Sequence, residues 1–345
     1  MELFARDLSQ ALVAHEGVDL KVVKWGGSGR VKAVLIALPY LFIRALGALC
    51  RRRVDIIHVQ DGLLAPAGYI LSRLFRKPFV VVIHGLDITY RNRLFRFVVP
   101  WTVRRADRVI CISQAAADEA AQRGVPTDRL QVIPLAVNDE LHGTTSRADL
   151  LDALNLPTDS KLLLTVGRLV ERKGVAWFIE QVLPELVEHY PQLIYLVAGE
   201  GQARPAIEAA IKRTNLGTHV RLLSTITDEL YQAVYNGADV FVMPNIAVPG
   251  DVEGFGLVLL EASLCALPVV AADTEGISDT VIDGQNGILV PSGDGAAFQR
   301  EVGRLLHDAA AARRFGQQSR YFTLKHYQWG MLVEQYIQQY KNIIQ

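Results

Sequence analysis

Hydrophobic and polar positions along this chain switch repeatedly between two periods. Phe4, Leu8, Ala11 and Leu12 fall on one helical face. Beyond them, short apolar runs of strand length alternate with segments of helical period. Strands are predicted over 18–24, 54–59, 78–83, 107–112 and 130–134, with helices from Val31 and over 63–75, 92–105 and 114–123. A Gly26-Gly27-Ser28-Gly29 loop follows the first of these strands. A second series has strands over 161–166, 193–198, 220–224, 240–243, 268–271 and 287–290. Its helices start near Val175, Ala203, Asp228, Gly256, Ile277 and Ala296. A last helix over 327–344 carries Trp329, Leu332 and Tyr336 on one stripe.

Alternation of this kind predicts parallel sheets covered by helices on both faces. The 345 residues suffice for two cores. A polar stretch at 138–160 is the expected crossing between them. The expected architecture is α/β: two Rossmann-like, doubly wound domains, 1–140 and 141–326, with 327–345 returning to the first. Such halves bind ligand at the carboxyl ends of their strands, here facing one another across a cleft.

Candidate chemistry concentrates in Glu253-Gly254-Phe255-Gly256-Leu257-Val258-Leu259-Leu260-Glu261. The glycines allow backbone to approach a ligand closely. The apolar run from Leu257 reads as the start of a buried helix, so the N–H groups of 254–257 would form an anion site. Glu253 would sit at its mouth and Glu261 further in. Carboxylates favour hydroxyl donors and repel bare phosphate, so the combination suits a sugar nucleotide. Val166-Gly167-Arg168-Leu169 and Glu171-Arg172-Lys173-Gly174 form a strand–loop–helix turn that can bring Arg168 and Lys173 together on a pyrophosphate. Taken alone, that turn reads equally well as a solvated basic loop.

In order, "GRL…RKG", "AGEG" (198–201) and "EGFG…E" resemble the retaining glycosyltransferases of the family 4 type, which have the two-domain GT-B fold. The resemblance runs from Val54 to Val290. It implies that Glu253 holds donor-sugar hydroxyls and Glu261 the ribose. It also implies that backbone N–H groups of Phe255 to Val258 cradle phosphate while Arg168 and Lys173 stabilise the leaving diphosphate. Thr225-Ile226-Thr227 lies where the base would sit, in place of a Gly-containing turn, which leaves the base open. His84, at the end of an apolar strand, is by itself more often a structural histidine. Its His-Gly context resembles the segment that faces the sugar from the other domain, and Asp87 and Tyr90 become acceptor candidates. Ser113 is assigned a local hydrogen bond. The implied activity is retaining, metal-independent hexosyl transfer from a UDP- or GDP-sugar, with no cofactor. The departing phosphate takes the acceptor proton, because no side-chain base stands out near Glu253.

One departure concerns the N-terminus. Relatives begin with a central strand and a Gly-rich loop before the helix that here starts at once, so the N-terminal domain is expected to lack its first strand. That keeps a catalytically impaired sugar-nucleotide-binding partner open as an alternative, along with a GT-B epimerase. A phosphorylase lacks support, having no pyridoxal-phosphate lysine signature. A dinucleotide oxidoreductase is unlike this chain, in which no Gly-x-Gly-x-x-Gly follows a first strand.

Charge refines the picture. The formal net charge is zero, yet residues 1–140 hold 20 Lys and Arg against 13 Asp and Glu, while 141–345 hold 16 against 23. The basic half, with its apolar helix faces, suits an anionic membrane surface and a glycan or lipid-linked acceptor. Attraction between the two halves is the competing explanation. No nucleic acid partner is expected. The run 31–50 is interrupted by Lys32, Pro39 and Arg44 and reads as a buried or interfacial helix rather than a span. Three cysteines without metal spacing read as buried thiols of a reducing compartment. The expected location is the cytoplasm, at the inner face of the membrane, in glycan or cell-surface polysaccharide assembly.

Overall fold

The computed structural model describes every residue except 1, 25–30, 52, 86–92, 144, 225, 250, 252 and 345, and side chains at all of these but 2, 3, 31–38 and 93–96. The Gly26–Gly29 loop, Thr225, Asp87 and Tyr90 therefore lie outside the described residues. The chain divides into two units, 1–136 with 329–345, and 137–328.

The first unit opens with α1 (Glu2–Ala14) and α2 (Val31–Arg51). It continues through β1 (Ile57–Val59), α3 (Ala65–Phe75), β2 (Phe79–Ile83), α4 (Arg93–Val103), β3 (Arg108–Cys111), α5 (Gln114–Gln122) and β4 (Leu130–Val132). The four strands are parallel and follow chain order. Alternation along them separates two faces. Ile57, Phe79, Val81, Ile83, Val109 and Cys111 share a core with Leu71 of α3, Val99 and Val103 of α4 and Ala117 of α5, and α2 adds Phe42, Leu46 and Leu49. His58 points to the opposite face, where its ring meets Tyr336 and Tyr340 of the C-terminal helix. That helix packs beside α1, joined by the Phe4–Trp329 ring contact and by His15 to Glu334 at 3.2 Å.

Two expectations fail here. Residues 18–24 form no strand. Val22 is 46% exposed, and alternation alone cannot hold a strand without a ladder partner. Cys50 is exposed at the end of α2, on the side away from the core, whereas Cys111 and Cys265 are buried.

The second unit contains α6 (Arg147–Leu154), β5 (Lys161–Val166), α7 (Val175–Gln181), α8 (Leu183–His189), β6 (Leu193–Ala198), α9 (Arg204–Thr214) and β7 (Val220–Leu223). It continues with α10 (Asp228–Gly237), β8 (Val240–Met243), α11 (Leu257–Leu264), β9 (Val269–Asp273), β10 (Ile288–Pro291), α12 (Gly295–His307) and α13 (Ala309–His326). The chain then returns to the first unit as α14 (Trp329–Ile344). The polar stretch is thus partly helical: α6 starts on a capping box in which Ser146 and Asp149 satisfy each other's backbone N–H.

Six parallel strands lie in the order β10-β9-β8-β5-β6-β7. Leu163, Tyr195, Val197, Val242 and Val270 pack under α7, α8, α9 and α12. Leu162, Leu164, Leu196, Phe241 and Val269 pack under α6, α10 and α11. Strand order reverses between β5 and β8, so their carboxyl ends flank the crevice where open α/β sheets receive ligands. The helix expected near Ile277 is instead a run of turns over 275–280. Gly276 has φ +77°, outside helical geometry, and a Cβ there would lie 2.1 Å from the Glu253 carbonyl oxygen.

Candidate active site

The crevice between β5 and β8 is built by two close-packed loops. After β5 the chain makes a 3-10 turn at Glu171–Lys173 and then Gly174, at φ +64°. A Cβ on Gly174 would stand 1.8 Å from the carbonyl oxygen of Pro244, which follows β8. The Ile246 N–H donates to the Arg172 carbonyl at 2.9 Å, locking the two loops together. This packing turns Arg172 and Lys173 inward, to 5% and 8% exposure.

Both cations meet Glu253. Lys173 Nζ lies 2.6 Å from Glu253 Oε2, and Arg172 Nη2 lies 3.4 Å from Oε1. Asn245 Nδ2 donates to Oε2 at 3.2 Å, and Arg172 Nη1 faces Asp251 at 3.3 Å. Burial pushes the Glu253 carboxyl up, but Lys173 and Arg172 together outweigh it and hold the carboxyl below its usual range. Burial draws the Lys173 ammonium down, and Glu253 offsets this only in part. The guanidinium Nε of Arg172 is buried without an acceptor among the described residues. A buried donor left unpaired is costly.

Arg168 is exposed, just beyond Gly167. It lies close enough to Lys173 to lower that ammonium further.

Glu261 sits on α11, the buried helix expected from Leu257 onward. Its Oε2 accepts the hydroxyls of Tyr231 at 2.7 Å and Tyr235 at 2.9 Å. Burial raises its carboxyl, and the two tyrosines offset that only in part. Both tyrosines come from α10, one turn apart, and the Tyr235 ring stacks on Phe241 of β8. The Oε1 atom has no partner among the described residues.

The loop ahead of α11 differs from expectation. Gly256 N–H donates to Thr280 Oγ1 at 3.2 Å, and Leu257 N–H to the Phe255 carbonyl at 3.1 Å. Of the four N–H groups expected to be free, only those of Gly254 and Phe255 lack an acceptor among the described residues. Val258 follows as the second residue of the helix. Ile226 packs on the core under α10, and the neighbouring Thr227 caps that helix, accepting from Leu230 N–H at 3.3 Å.

In the first unit His84 ends β2. Its Nε2 is 2.9 Å from the Gln60 carbonyl oxygen, so Nε2–H donates there, and Phe4 contacts the ring edge-on. Burial lowers its pKa, favouring the neutral imidazole. Ser113 caps α5, accepting from Ala116 N–H at 3.0 Å.

The structure thus brings Lys173 and Glu253 into contact and places Glu261 on α11, held by Tyr231 and Tyr235. It adds Arg172, Asn245, Asp251, Tyr231 and Tyr235, none of which the sequence singles out. Two signals were present: Arg172 adjoins Lys173, and Tyr231 and Tyr235 share one helical face.

This fold is that of the GT-B glycosyltransferases. Residues 146–322 match the family described as glycosyl transferases group 1, and residues 1–141 match glycosyltransferase family 4. The chain belongs to this family and is a glycosyltransferase. It is similar to a GDP-mannose-dependent alpha-(1-6)-phosphatidylinositol monomannoside mannosyltransferase of Mycolicibacterium smegmatis, at 32% identity over 80% of this chain and 74% of the relative. It is also similar to a D-inositol 3-phosphate glycosyltransferase of Xylanimonas cellulosilytica, at 30% identity over 76% and 68%. Among solved structures it resembles sucrose-phosphate synthase from Thermosynechococcus elongatus, with a TM-score of 0.77 and 26% identity over 99% of this chain and 92% of that one.

Proposed function

We propose that this glycosyltransferase moves a hexosyl group, with retention, from a UDP- or GDP-sugar bound on the second unit to a glycan or lipid-linked acceptor. One observation carries the reading: the buried Arg172–Lys173–Glu253 cluster at the switch point of the second sheet. Breaking the anomeric bond leaves negative charge on the diphosphate. Arg168, Arg172, Lys173 and the N–H groups of Gly254 and Phe255 face that charge as fixed donors, which lowers the barrier without reorganisation during reaction. With Glu253 and Asp251 counted against the three cations, one net positive charge remains for the leaving group.

Glu253 then has two tasks: to hold Lys173 in place and to accept hydroxyls of the donor sugar. Glu261, held by two tyrosines through Oε2, turns Oε1 to the ribose. In the first unit His84, oriented by the Gln60 carbonyl, is the candidate contact for sugar, and Asp87 and Tyr90 are acceptor candidates on the family resemblance alone. Protein cations supply the charge that a metal would otherwise bring, so transfer proceeds without one. Similarity to a phosphatidylinositol mannoside mannosyltransferase supports a lipid-linked acceptor, and with it work at the cytoplasmic face of the membrane in polysaccharide or glycolipid assembly.

The test is transfer from UDP-glucose and GDP-mannose, followed by proton NMR of the product, with and without excess EDTA. The reading expects an α-linked product and full activity in EDTA. An inverted anomer, or a loss restored by Mg²⁺ or Mn²⁺, would refute it.

A further inference from the structure

The first unit carries an unusual outer surface. α2, α3 and α4 lie in one layer against one face of its sheet. Facing away from that sheet are Tyr40 and Ile43 of α2, Ile70 and Leu74 of α3, and Phe97 and Trp101 of α4, at 40–75% exposure. The helices adjoin, and the Tyr69 and Trp101 rings pack edge to face at 5.4 Å across the α3–α4 seam. Six large apolar side chains on three neighbouring helices make a patch, and patches of this kind mark interaction sites.

The charges on those helices say what covers it. α2, α3 and α4 contain Lys32, Arg44, Arg51, Arg73, Arg93 and Arg96 and not one Asp or Glu. Two cations are held against the patch itself, Arg44 of that set and Arg105 just beyond α4. The Arg44 guanidinium lies 5.8 Å from the Tyr40 ring centre, and that of Arg105 lies 3.8 Å from the Trp101 ring centre. Half-exposed aromatic rings that carry a cation suit the boundary between lipid head groups and acyl chains. A second copy of this chain would set like charge against like charge across the interface. An anionic bilayer meets both halves of the pattern, its acyl boundary taking the apolar side chains and its head groups the cations. None of the described helices is long and apolar enough to cross a membrane.

We propose that the outer face of α2, α3 and α4 is a membrane-docking surface, with Ile43, Leu74, Phe97 and Trp101 entering the head-group layer of an anionic leaflet. This deepens, and rests on, the lipid-acceptor reading above. It places the first unit on the bilayer by a defined face, in which apolar insertion acts together with charge.

Vesicle co-sedimentation tests it, using phosphatidylcholine alone or mixed with phosphatidylglycerol. The protein binds the mixed vesicles, releases as salt rises, and stays in the supernatant with phosphatidylcholine alone. The Ile43→Asp/Leu74→Asp/Phe97→Asp variant loses about tenfold or more in partitioning while titrating nucleotide sugar as the parent does. Where that variant fails to fold, Phe97→Asp alone and the tryptophan emission carry the test. Emission shifts to the blue on mixed vesicles in the parent and much less in Trp101→Phe. Equal behaviour on both vesicle types, or full binding by the triple variant, overturns the proposal. A concentration-dependent dimer that Phe97→Asp dissolves also overturns it and assigns the face to a second copy. Absence of nucleotide-sugar binding in parent and variant alike would refute the donor assignment and leave the vesicle result standing.

Discussion

Lys173 Nζ sits 2.6 Å from Glu253 Oε2, with the two side chains only 10% and 9% exposed, although 80 positions separate them in the chain. The contact exists because β5 and β8 are neighbours in the sheet, so the loops at their carboxyl ends meet. Removing either partner strands the other in a dry site. Glu253→Gln is therefore expected to destabilise the protein by about 3 kcal/mol or more. Lys173→Met/Glu253→Gln should regain much of that loss, because no ammonium is left unpaired, while transfer stays at least about a hundredfold down. Thermal denaturation beside a transfer assay checks both. Additive stability losses in the double variant would contradict the coupling.

Gly174 predicts a sharp contrast between two glycines. Gly174→Ala puts a methyl group at φ +64° and into the Pro244 carbonyl, so the 171–174 turn must move. The expected loss is about 2 kcal/mol or more. Gly303 lies within α12, where a Cβ meets nothing within 4 Å, so Gly303→Ala should instead add about 0.5–1 kcal/mol. Urea midpoints at constant slope read both. Equal shifts would contradict the account of the crevice.

A pH dependence resides in the first unit. Burial pushes the His58 imidazole down to about 4, while its Nδ1 meets the Tyr340 hydroxyl at 2.6 Å. An unfolded imidazole takes up its proton near ~6.5. Between these values the unfolded chain binds more protons than the folded one, so stability falls as pH falls. The loss attributable to His58 amounts to about 3 kcal/mol by pH ~4. His84, lowered by burial as well, acts in the same direction. Melting temperatures from neutral to acid pH should drop more steeply for the parent than for His58→Gln. Parallel curves would contradict the assignment.

How much of this was legible beforehand depends on the range of the interaction. β5, β6 and β8 have their expected ends, because buried parallel strands are short apolar runs with sharp borders. α11 and its flanking carboxylates were legible for the same local reason. The contact between Arg172 and Glu253 was not, since it follows from a strand order that no local period records. The Tyr231–Tyr235 clamp on Glu261 likewise joins α10 to α11 through the layer, and only the one-turn spacing of the tyrosines hinted at a shared role. Residues 18–24 and 275–280 mark the opposite failure. Their local patterns were right for a strand and a helix, and tertiary context overrode them, through a missing ladder partner in one case and the Gly276–Glu253 packing in the other.

The central claim is that a nucleotide sugar binds the second unit between the Arg172–Lys173–Glu253 cluster and Glu261. Calorimetric titration of UDP-glucose and GDP-mannose into the parent, Glu261→Ala and Arg168→Ala measures it most directly. Each change removes a charged partner of the donor, so each variant should bind the preferred donor about tenfold to a hundredfold more weakly; the exposed Arg168→Ala should keep its melting temperature, whereas Glu261→Ala takes the acceptor from the Tyr231 and Tyr235 hydroxyls and should melt lower. Unaltered affinity in both variants would contradict the assignment of the site.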